Sequence, residues 1–209
     1  TLFDHSVSEA SRPVRPADAA RLLVATQNYA LGGGVSKPFN LRHAPLVGGA
    51  WVLHVGKNFF ETLLLNMLVI TKDEPIPSTD KDLPAWELDV PSPATERLPN
   101  GYLDYLTWQS RRVILERTED GGVASIHMLQ GDALQSEGFF DPMMVLFCRD
   151  PSKGFLPLKF RQDRAMWRDS YAFFSNQVEV VRRPLTVEHL ARIQEAGGPA
   201  GLEGATVHV

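Results

Sequence analysis

Residues 111–129 read RRVILERTEDGGVASIHML and place two runs of β-branched and apolar residues on either side of EDGG. Glycine and aspartate tolerate the left-handed backbone conformations that tight turns need, so the stretch predicts an antiparallel β-hairpin. The runs MMVLFCR and FLPLKF flank DPSKG in the same manner and predict a second hairpin. Pro157 has no N–H to donate, which predicts that its strand lies at the edge of a sheet.

Helical patterns accompany these hairpins but do not alternate with them as β-α-β units. Residues 16–29 place apolar side chains at helical spacing after a proline that suits a first turn. Asn58 and Glu61 resemble a capping box for FFETLLLNMLVI, a helix apolar enough to be largely buried. DRAMWRDSYAFF and TVEHLARIQEA predict two more helices, and AWVLHV and GATVHV predict short strands. This order favours an α+β fold, a mixed globular body with antiparallel hairpins in its second half and a few packed helices.

Two segments have an unusual composition. Residues 73–99 hold six prolines and seven acidic residues, which predicts an extended, irregular crossing with Trp86 anchored in the core. Aromatic residues run directly into two arginines in YLTWQSRRVILE, which contains Tyr102, Tyr105, Trp108, Arg111 and Arg112. Such a pattern can stack bases and grip phosphates. The interpretation that we favour is a strand whose aromatic side chains fill the core while one arginine faces water.

Length and composition exclude several classes of protein. The chain has 209 residues, 44% of them hydrophobic, which allows one large domain or two small ones. Cys148 is the single cysteine, so an internal disulfide and a cysteine-based zinc cluster are excluded, and its apolar neighbours predict a buried strand thiol. No apolar run reaches the ~18 residues of a membrane span, and we expect a cytoplasmic protein without a membrane partner. The sequence starts at Thr1, not at methionine, and we expect a fragment of a longer protein.

The charge of the chain is unevenly distributed. Its net charge of −4 argues against a generally basic nucleic-acid surface. Residues 149–168, the basic segment, nevertheless carry six basic and two acidic side chains. Lys153 lies at the tip of the second predicted hairpin, and Arg161 follows its second strand. The basic segment fits either a phosphate-binding surface or a solvated face.

Three consecutive glycines, Gly32–Gly34, follow the first predicted helix in ALGGGVSKPFN and form what we call the glycine loop. A bare backbone of this kind could cradle a phosphate, approach a nucleic-acid groove or form a slack turn. The phosphate-binding loop of nucleotide hydrolases needs Gly-Lys-Ser/Thr at the start of a helix. Here Lys37 precedes Pro38, which disfavours a helical conformation at the lysine. A dinucleotide fingerprint needs glycines after a strand, whereas these follow a helix.

The sequence shows no recognisable catalytic or metal-binding set. Its six histidines are scattered, without a metal-binding pair spaced on one helix. No Ser-His-Asp or paired-carboxylate arrangement can be singled out from the sequence. We therefore expect no enzyme activity, no cofactor and no bound metal.

Six segments, in their order along the chain, resemble one protein family: TLFDH, ALGGGVSKPFN, NFFETLLLNML, LPAWE, GYLDYLTWQSRRVIL and RAMWRDS. The family is the large subunit, CasA, of the type I-E CRISPR surveillance complex, Cascade. The resemblance covers nearly the whole chain. It implies that all 209 residues form an internal part of the large mixed α/β body of such a subunit, without its N-terminal part and without its C-terminal four-helix bundle.

The resemblance implies a non-catalytic role in CRISPR RNA-guided antiviral defence. Family members recognise the protospacer-adjacent motif (PAM) in target double-stranded DNA and contact the 5′ end of the CRISPR RNA. The implied partners also include the other Cascade protein subunits and a nuclease-helicase that the complex recruits.

The resemblance also implies which residues contact nucleic acid. The glycine loop would approach the PAM from the minor groove, which is only about 6 Å wide, so side chains would obstruct the main chain there. The segment LFDH would meet the RNA 5′ end and the PAM-proximal region. The nucleic-acid-binding residues that we expect are Phe3, His5, Gly32, Gly33, Gly34, Ser36, Lys37, Lys153 and Arg161.

Two features of some relatives are missing from the sequence. Residues 118–142 contain no lysine or arginine, although some relatives insert a lysine into the PAM duplex from this region. The single cysteine also excludes the cysteine-rich, zinc-like loop of some relatives. Two other functions stay open at this point: a nucleotide-dependent enzyme that uses the glycine loop, and a purely structural scaffold subunit.

Overall fold

The computed structural model describes residues 12–34, 41–68, 79–88, 93–135, 141–148, 152, 154–174, 181–195 and 206–208. Helices in these residues are α1 (Pro16–Tyr29), α2 (Phe59–Asn66), α3 (Tyr102–Leu106), α4 (Tyr171–Phe174) and α5 (Leu185–Glu195). Strands are β1 (Leu53–Val55), β2 (Glu96–Arg97), β3 (Arg111–Arg117), β4 (Val123–Gln130), β5 (Ala133–Leu134), β6 (Leu146–Phe147), β7 (Leu156–Pro157), β8 (Val181–Arg182) and β9 (Thr206–His208). Helices are thus mixed with small, mostly antiparallel sheets, which confirms the predicted α+β class.

The chain divides into two compact units, and both draw on distant parts of the sequence. The first unit comprises Thr1–Val47, Pro84–Arg97 and Thr107–Leu134. The second comprises Gly48–Leu83, Leu98–Leu106 and Gln135–Val209. The helix α1, the glycine loop and the β3–β4 hairpin therefore belong to the first unit, whereas α2, α5 and the basic segment belong to the second.

The β3–β4 hairpin of the first unit confirms the prediction from residues 111–129. The two strands pair antiparallel, from Arg111 opposite Gln130 to Arg117 opposite Val123. In the turn, Gly121 adopts a φ of +84°. This is the left-handed region that glycine enters without the steric penalty of a Cβ atom, so the turn residues act as predicted.

The helix α1 begins and ends where the sequence predicts. Pro16 occupies the first turn, where an N–H would have no partner within the helix. Asp18, also in the first turn, accepts hydrogen bonds from Arg15 and Arg21. The chain leaves the helix at Ala30 in an extended conformation and enters the glycine loop two residues later.

The core of the second unit lies around a three-stranded sheet with the order β7–β6–β8. The buried apolar side chains of this core are Ala50, Val52, Val145, Leu158, Ala172, Phe173 and Val181. The strand β7 contains Pro157 and lies at the edge of the sheet, which confirms the prediction. The strands β1 and β9 pair antiparallel, where AWVLHV and GATVHV predict strands.

The helix α2 has the predicted cap but not the predicted burial. Asn58 Oδ1 accepts a hydrogen bond from the Glu61 N–H at 2.9 Å, as an N-cap side chain does. The helix ends at Asn66, and Leu65 is its buried residue. Several large side chains are between 41% and 77% exposed, namely Phe59, Phe60, Leu63 and Leu64. The prediction of a largely buried helix is wrong, because apolar content alone does not determine which faces of a helix other elements cover.

Two further predictions of burial are wrong. Trp86 is 77% exposed and lies in a short 3-10 turn, Ala85–Glu87, instead of anchoring residues 73–99 in the core. Cys148 is half-buried, and it lies directly after β6 and not within that strand. Large apolar side chains are frequently exposed in folded proteins, so neither residue type guarantees a core position.

The segment that runs from aromatic residues into arginines is also only partly as predicted. Tyr102, Tyr105 and Trp108 are buried, but both tyrosines lie on α3 and not on a strand. Arg111 is 1% exposed, and Arg112 is half-buried, so the expected water-facing arginine is absent from this pair.

The helical prediction over residues 163–174 is confirmed only in part. The described chain forms a 3-10 turn at Met166–Asp169 and then the short helix α4, and not one continuous helix. The prediction from TVEHLARIQEA is confirmed, because α5 spans these residues from Leu185 to Glu195.

Candidate nucleic-acid interface

The glycine loop is fixed by hydrogen bonds to the segment that follows it. Gly33 and Leu41 pair as in an antiparallel ladder, with N–O distances of 2.9 and 3.0 Å. The Gly32 N–H donates to Nδ1 of His43 at 2.9 Å. Two of the three glycines are therefore held by specific partners within the same unit.

Each glycine of the loop meets a different physical requirement. A Cβ atom on Gly32 would lie 2.9 Å from the Leu41 carbonyl oxygen and from the His43 nitrogen, so the close approach of two backbones requires glycine there. Gly34 adopts a φ of +78°, which strains any residue with a side chain. Gly33 is exposed, its φ is not in the left-handed region, and a Cβ atom on it would meet nothing within 4 Å. The fold of the described residues therefore gives no steric reason for glycine at position 33.

The amide groups of the loop are not arranged as a phosphate cradle. Such a cradle presents successive free backbone N–H groups to the anion. Here the Gly32 and Gly33 N–H groups already donate to His43 and Leu41. This arrangement argues against the nucleotide-dependent alternative. What the loop presents outward at Gly33 is a backbone without a side chain, and its carbonyl oxygen keeps a second lone pair beside the bond from Leu41.

The base of the glycine loop contains residues that sequence reasoning did not assign to it. The Arg111 guanidinium donates to the Leu31 carbonyl at 3.0 Å, one residue before Gly32. The Gln27 side chain, near the end of α1, bonds to the main chain of Arg111. In the sequence, Arg111 is half of an arginine pair beside aromatic residues, and nothing in that pattern indicates a contact with a segment 80 residues earlier.

The basic segment contains several ion pairs. Arg161 is exposed and contacts Asp163 through two hydrogen bonds, of 3.0 and 2.7 Å. The guanidinium lowers the pKa of the Asp163 carboxyl group below its usual value. Arg164 contacts Asp169 at 2.9 Å, whereas Lys159 is exposed. Any phosphate at Arg161 or Arg164 has to compete with a carboxylate that is already in place.

The expected nucleic-acid-binding residues fall into three groups. Gly32, Gly33 and Gly34 lie together in the first unit, beside His43. Arg161 lies in the second unit. The remaining residues lie outside the described part of the chain, namely Phe3, His5, Ser36, Lys37 and Lys153.

The same part of the chain also bears on metal binding and on membrane insertion. Among the described residues, no group of three or more His, Cys, Asp or Glu side chains could hold a metal ion. Within those residues there is also no helix with the length and apolar character needed to cross a membrane.

Comparison with known families identifies one match over the full length of the chain. The family described as "CRISPR-associated protein Cse1" matches residues 1–209. The CRISPR-associated protein CasA/Cse1 of Thermus thermophilus is 32% identical over 216 aligned positions, which cover 98% of this chain and 40% of that protein. The chain thus spans about 40% of the length of this curated relative.

Several solved structures share the fold of this chain. The structure of Cse1 from Thermobifida fusca matches with a TM-score of 0.72 and 25% identity, over 94% of this chain and 42% of that one. A chain of a structure described as a "CRISPR RNA-guided surveillance complex" matches with a TM-score of 0.67 and 21% identity. That match covers 95% of this chain and 41% of the other and shows a shared fold.

Proposed function

This chain belongs to the Cse1 family of CRISPR-associated proteins, and on that premise we propose that it is part of a non-catalytic subunit that recognises the PAM in target double-stranded DNA. The subunit acts within a type I-E surveillance complex, beside other Cascade protein subunits and the CRISPR RNA, whose 5′ end it contacts. The complex then recruits a nuclease-helicase.

The observation that carries this proposal is the unexplained glycine at position 33. Gly32 and Gly34 are accounted for by close packing and by backbone conformation, whereas Gly33 has neither requirement. An exposed position that needs no glycine for folding, but has one, is expected where another molecule approaches the backbone closely. A duplex minor groove about 6 Å wide is such a molecule, since it admits a bare main chain more readily than a side chain.

The same geometry favours reading of the groove over phosphate binding. Minor-groove recognition is degenerate between A·T and T·A pairs, so contacts made by a backbone suit a complex that accepts several related PAM sequences. The Gly32 and Gly33 amides and the Gly33 carbonyl all bond within the chain, which leaves the bare Cα of Gly33 and the second lone pair of its carbonyl oxygen for an approaching groove.

The test compares two glycines, one in the glycine loop and one outside it. Gly33→Leu and Gly48→Leu both add a side chain where a Cβ atom meets nothing within 4 Å and where φ is not left-handed. Each variant of the full-length subunit is assembled into the complex, and its affinity is measured by gel shift on a duplex with the PAM intact and on one already opened across the PAM.

We expect Gly33→Leu to weaken binding to the intact PAM duplex by about tenfold or more, which corresponds to loss of one good base contact. Binding to the opened target should change little, and Gly48→Leu should bind both targets normally. An equal loss on both targets, or no loss at all, with assembly and melting temperature unchanged, would show that Gly33 does not read the PAM.

A further inference from the structure

The side chain of Arg111 is buried and holds main-chain oxygens instead of a carboxylate. It is 1% exposed at the start of β3. Its Nη1 donates to the Ser110 carbonyl at 2.7 Å, and its Nη2 donates to the Leu31 carbonyl at 3.0 Å. Among the described residues, Arg111 forms no ion pair, and burial lowers the pKa of its guanidinium.

The main chain of Arg111 is fixed in turn by Gln27. The Gln27 amide nitrogen donates to the Arg111 carbonyl at 2.7 Å, and its amide oxygen accepts from the Arg111 N–H at 2.9 Å. The Ser110 hydroxyl donates to the Gln27 carbonyl at 2.7 Å. The side-chain amide therefore satisfies the backbone of β3 as a neighbouring strand would, and it joins the end of α1 to the start of the hairpin.

These bonds reach the glycine loop through Leu31. Leu31 lies directly before Gly32, and its carbonyl oxygen is held by Arg111 while the next N–H is held by His43. A buried guanidinium without a carboxylate carries a desolvation penalty, so an apolar side chain would pack there at lower cost. The planar fork of arginine can, however, bind two carbonyl oxygens in fixed directions, which lysine cannot do.

We propose that Arg111 is a positioning residue for PAM recognition: it fixes the Leu31 carbonyl and thereby presents Gly33 to the minor groove in one conformation. The inference rests on the proposed function of the glycine loop. A loop that is already ordered loses less conformational freedom when it binds, so removal of the clamp weakens binding without removing any contact to DNA.

The test uses Arg111→Lys in the full-length subunit, assembled into the complex, with Arg112→Lys as the matched control. Both substitutions keep the charge, but Arg112 contacts Asp132 at 3.6 Å and no residue of the glycine loop among its described contacts. Affinity is measured on the intact PAM duplex and on the target opened across the PAM. Hydrogen exchange is measured on peptides that cover residues 30–44.

We expect Arg111→Lys to weaken binding to the intact PAM duplex by about tenfold, because a loop without its clamp has to be ordered when it binds. Binding to the opened target should stay within about twofold, because no groove is left to be read. Exchange in residues 30–44 should become faster in Arg111→Lys and not in Arg112→Lys. Unchanged PAM-duplex binding, or an equal loss on both targets, would overturn the inference.

A second variant covers the case in which Arg111→Lys does not assemble. Gln27→Leu keeps the guanidinium and removes both bonds to the Arg111 main chain, and we expect the same selective loss on the intact PAM duplex. Normal binding by Gln27→Leu would then refute the positioning role.

The Gly33→Leu result separates the failure of this inference from the failure of the proposed function. If Gly33→Leu loses PAM-dependent binding while the Arg111 and Gln27 variants do not, the loop reads the PAM without this clamp. If Gly33→Leu also binds normally, the proposed function itself fails.

Discussion

At the scale of single residues, two half-buried amide side chains serve as hydrogen-bond partners of the backbone. Asn66 donates to the His54 carbonyl at 2.7 Å and accepts from the His54 N–H at 3.0 Å, so its amide takes the place of a neighbouring strand. Gln27 does the same for Arg111. Backbone groups that lack a ladder partner are costly to bury, which explains why these amide side chains bond to main-chain groups.

His54 leads to a prediction about stability and pH. It is 1% exposed, its Nε2 lies 3.0 Å from the Thr186 carbonyl oxygen, and its Nδ1 has no hydrogen-bond partner among the described residues. Burial lowers the pKa of the ring from its ordinary value of 6.5. The unfolded chain therefore binds a proton at a higher pH than the folded one, so this group destabilises the fold as the pH falls below about 6.5.

We expect the melting temperature of the subunit to fall between pH 7.5 and pH 5.5, and to fall less in His54→Gln, which cannot become charged. Thermal melts of both proteins across this range measure the difference. His127→Gln is the control, because His127 is exposed beside Glu116 and its loss should leave the contribution of His54 unchanged. The same pH dependence in His54→Gln as in the unchanged protein would contradict the assignment.

At the scale of elements, sequence patterns correctly predict structures that depend on neighbouring residues. They fail where contacts with distant segments determine whether a side chain is buried. The helix α1, the cap of α2 and the β3–β4 hairpin depend on neighbouring residues, and all three occur as predicted. Burial of α2 and of Trp86 depends on what packs against them, and no local pattern contains that information.

The candidate site shows the same limit. Three glycines were recognisable as a loop, but the reason for each one depends on Leu41, His43 and the local φ angle. The clamp of Arg111 on Leu31 joins positions 80 residues apart, and a single sequence gives no signal for such a contact. Chemistry-bearing residues could thus be found from sequence, whereas their partners could not.

The basic segment gives a prediction at the scale of one surface element. Lys159 and Arg161 are exposed, although Arg161 already contacts Asp163. If they bind DNA phosphates, Lys159→Gln and Arg161→Gln should each weaken binding to targets with and without a PAM alike. Each lost phosphate contact should also reduce the slope of log K against log salt by about 0.9.

Binding isotherms at several salt concentrations measure these slopes. Arg21→Gln is a suitable control, since Arg21 is exposed and pairs with Asp18 in the first unit, away from the basic segment in sequence. A slope that does not change in either variant would mean that the basic segment is a solvated face or contacts protein.

At the scale of the whole molecule, the function that we propose for this member of the Cse1 family is binding without catalysis. The chain spans about 40% of the length of its curated relative, so the activity proposed here belongs to the longer subunit. Within the described residues, the candidate site offers main-chain groups and a bare Cα, and those are groups for recognition, not for proton transfer or nucleophilic attack.

This view predicts the outcome of metal and activity assays on the assembled complex without its nuclease-helicase. Elemental analysis of the purified 209-residue chain should find no stoichiometric zinc, because the chain has a single cysteine and its described part holds no cluster of three metal-ligating side chains. Incubation with magnesium and PAM-containing duplex should leave the DNA intact, and nucleotides should not be hydrolysed. One tightly bound zinc per chain would contradict the first expectation. Cleavage or hydrolysis that co-purifies with the subunit through stringent separation, and that disappears when a carboxylate or histidine of this chain is replaced, would contradict the second and would make the subunit an enzyme.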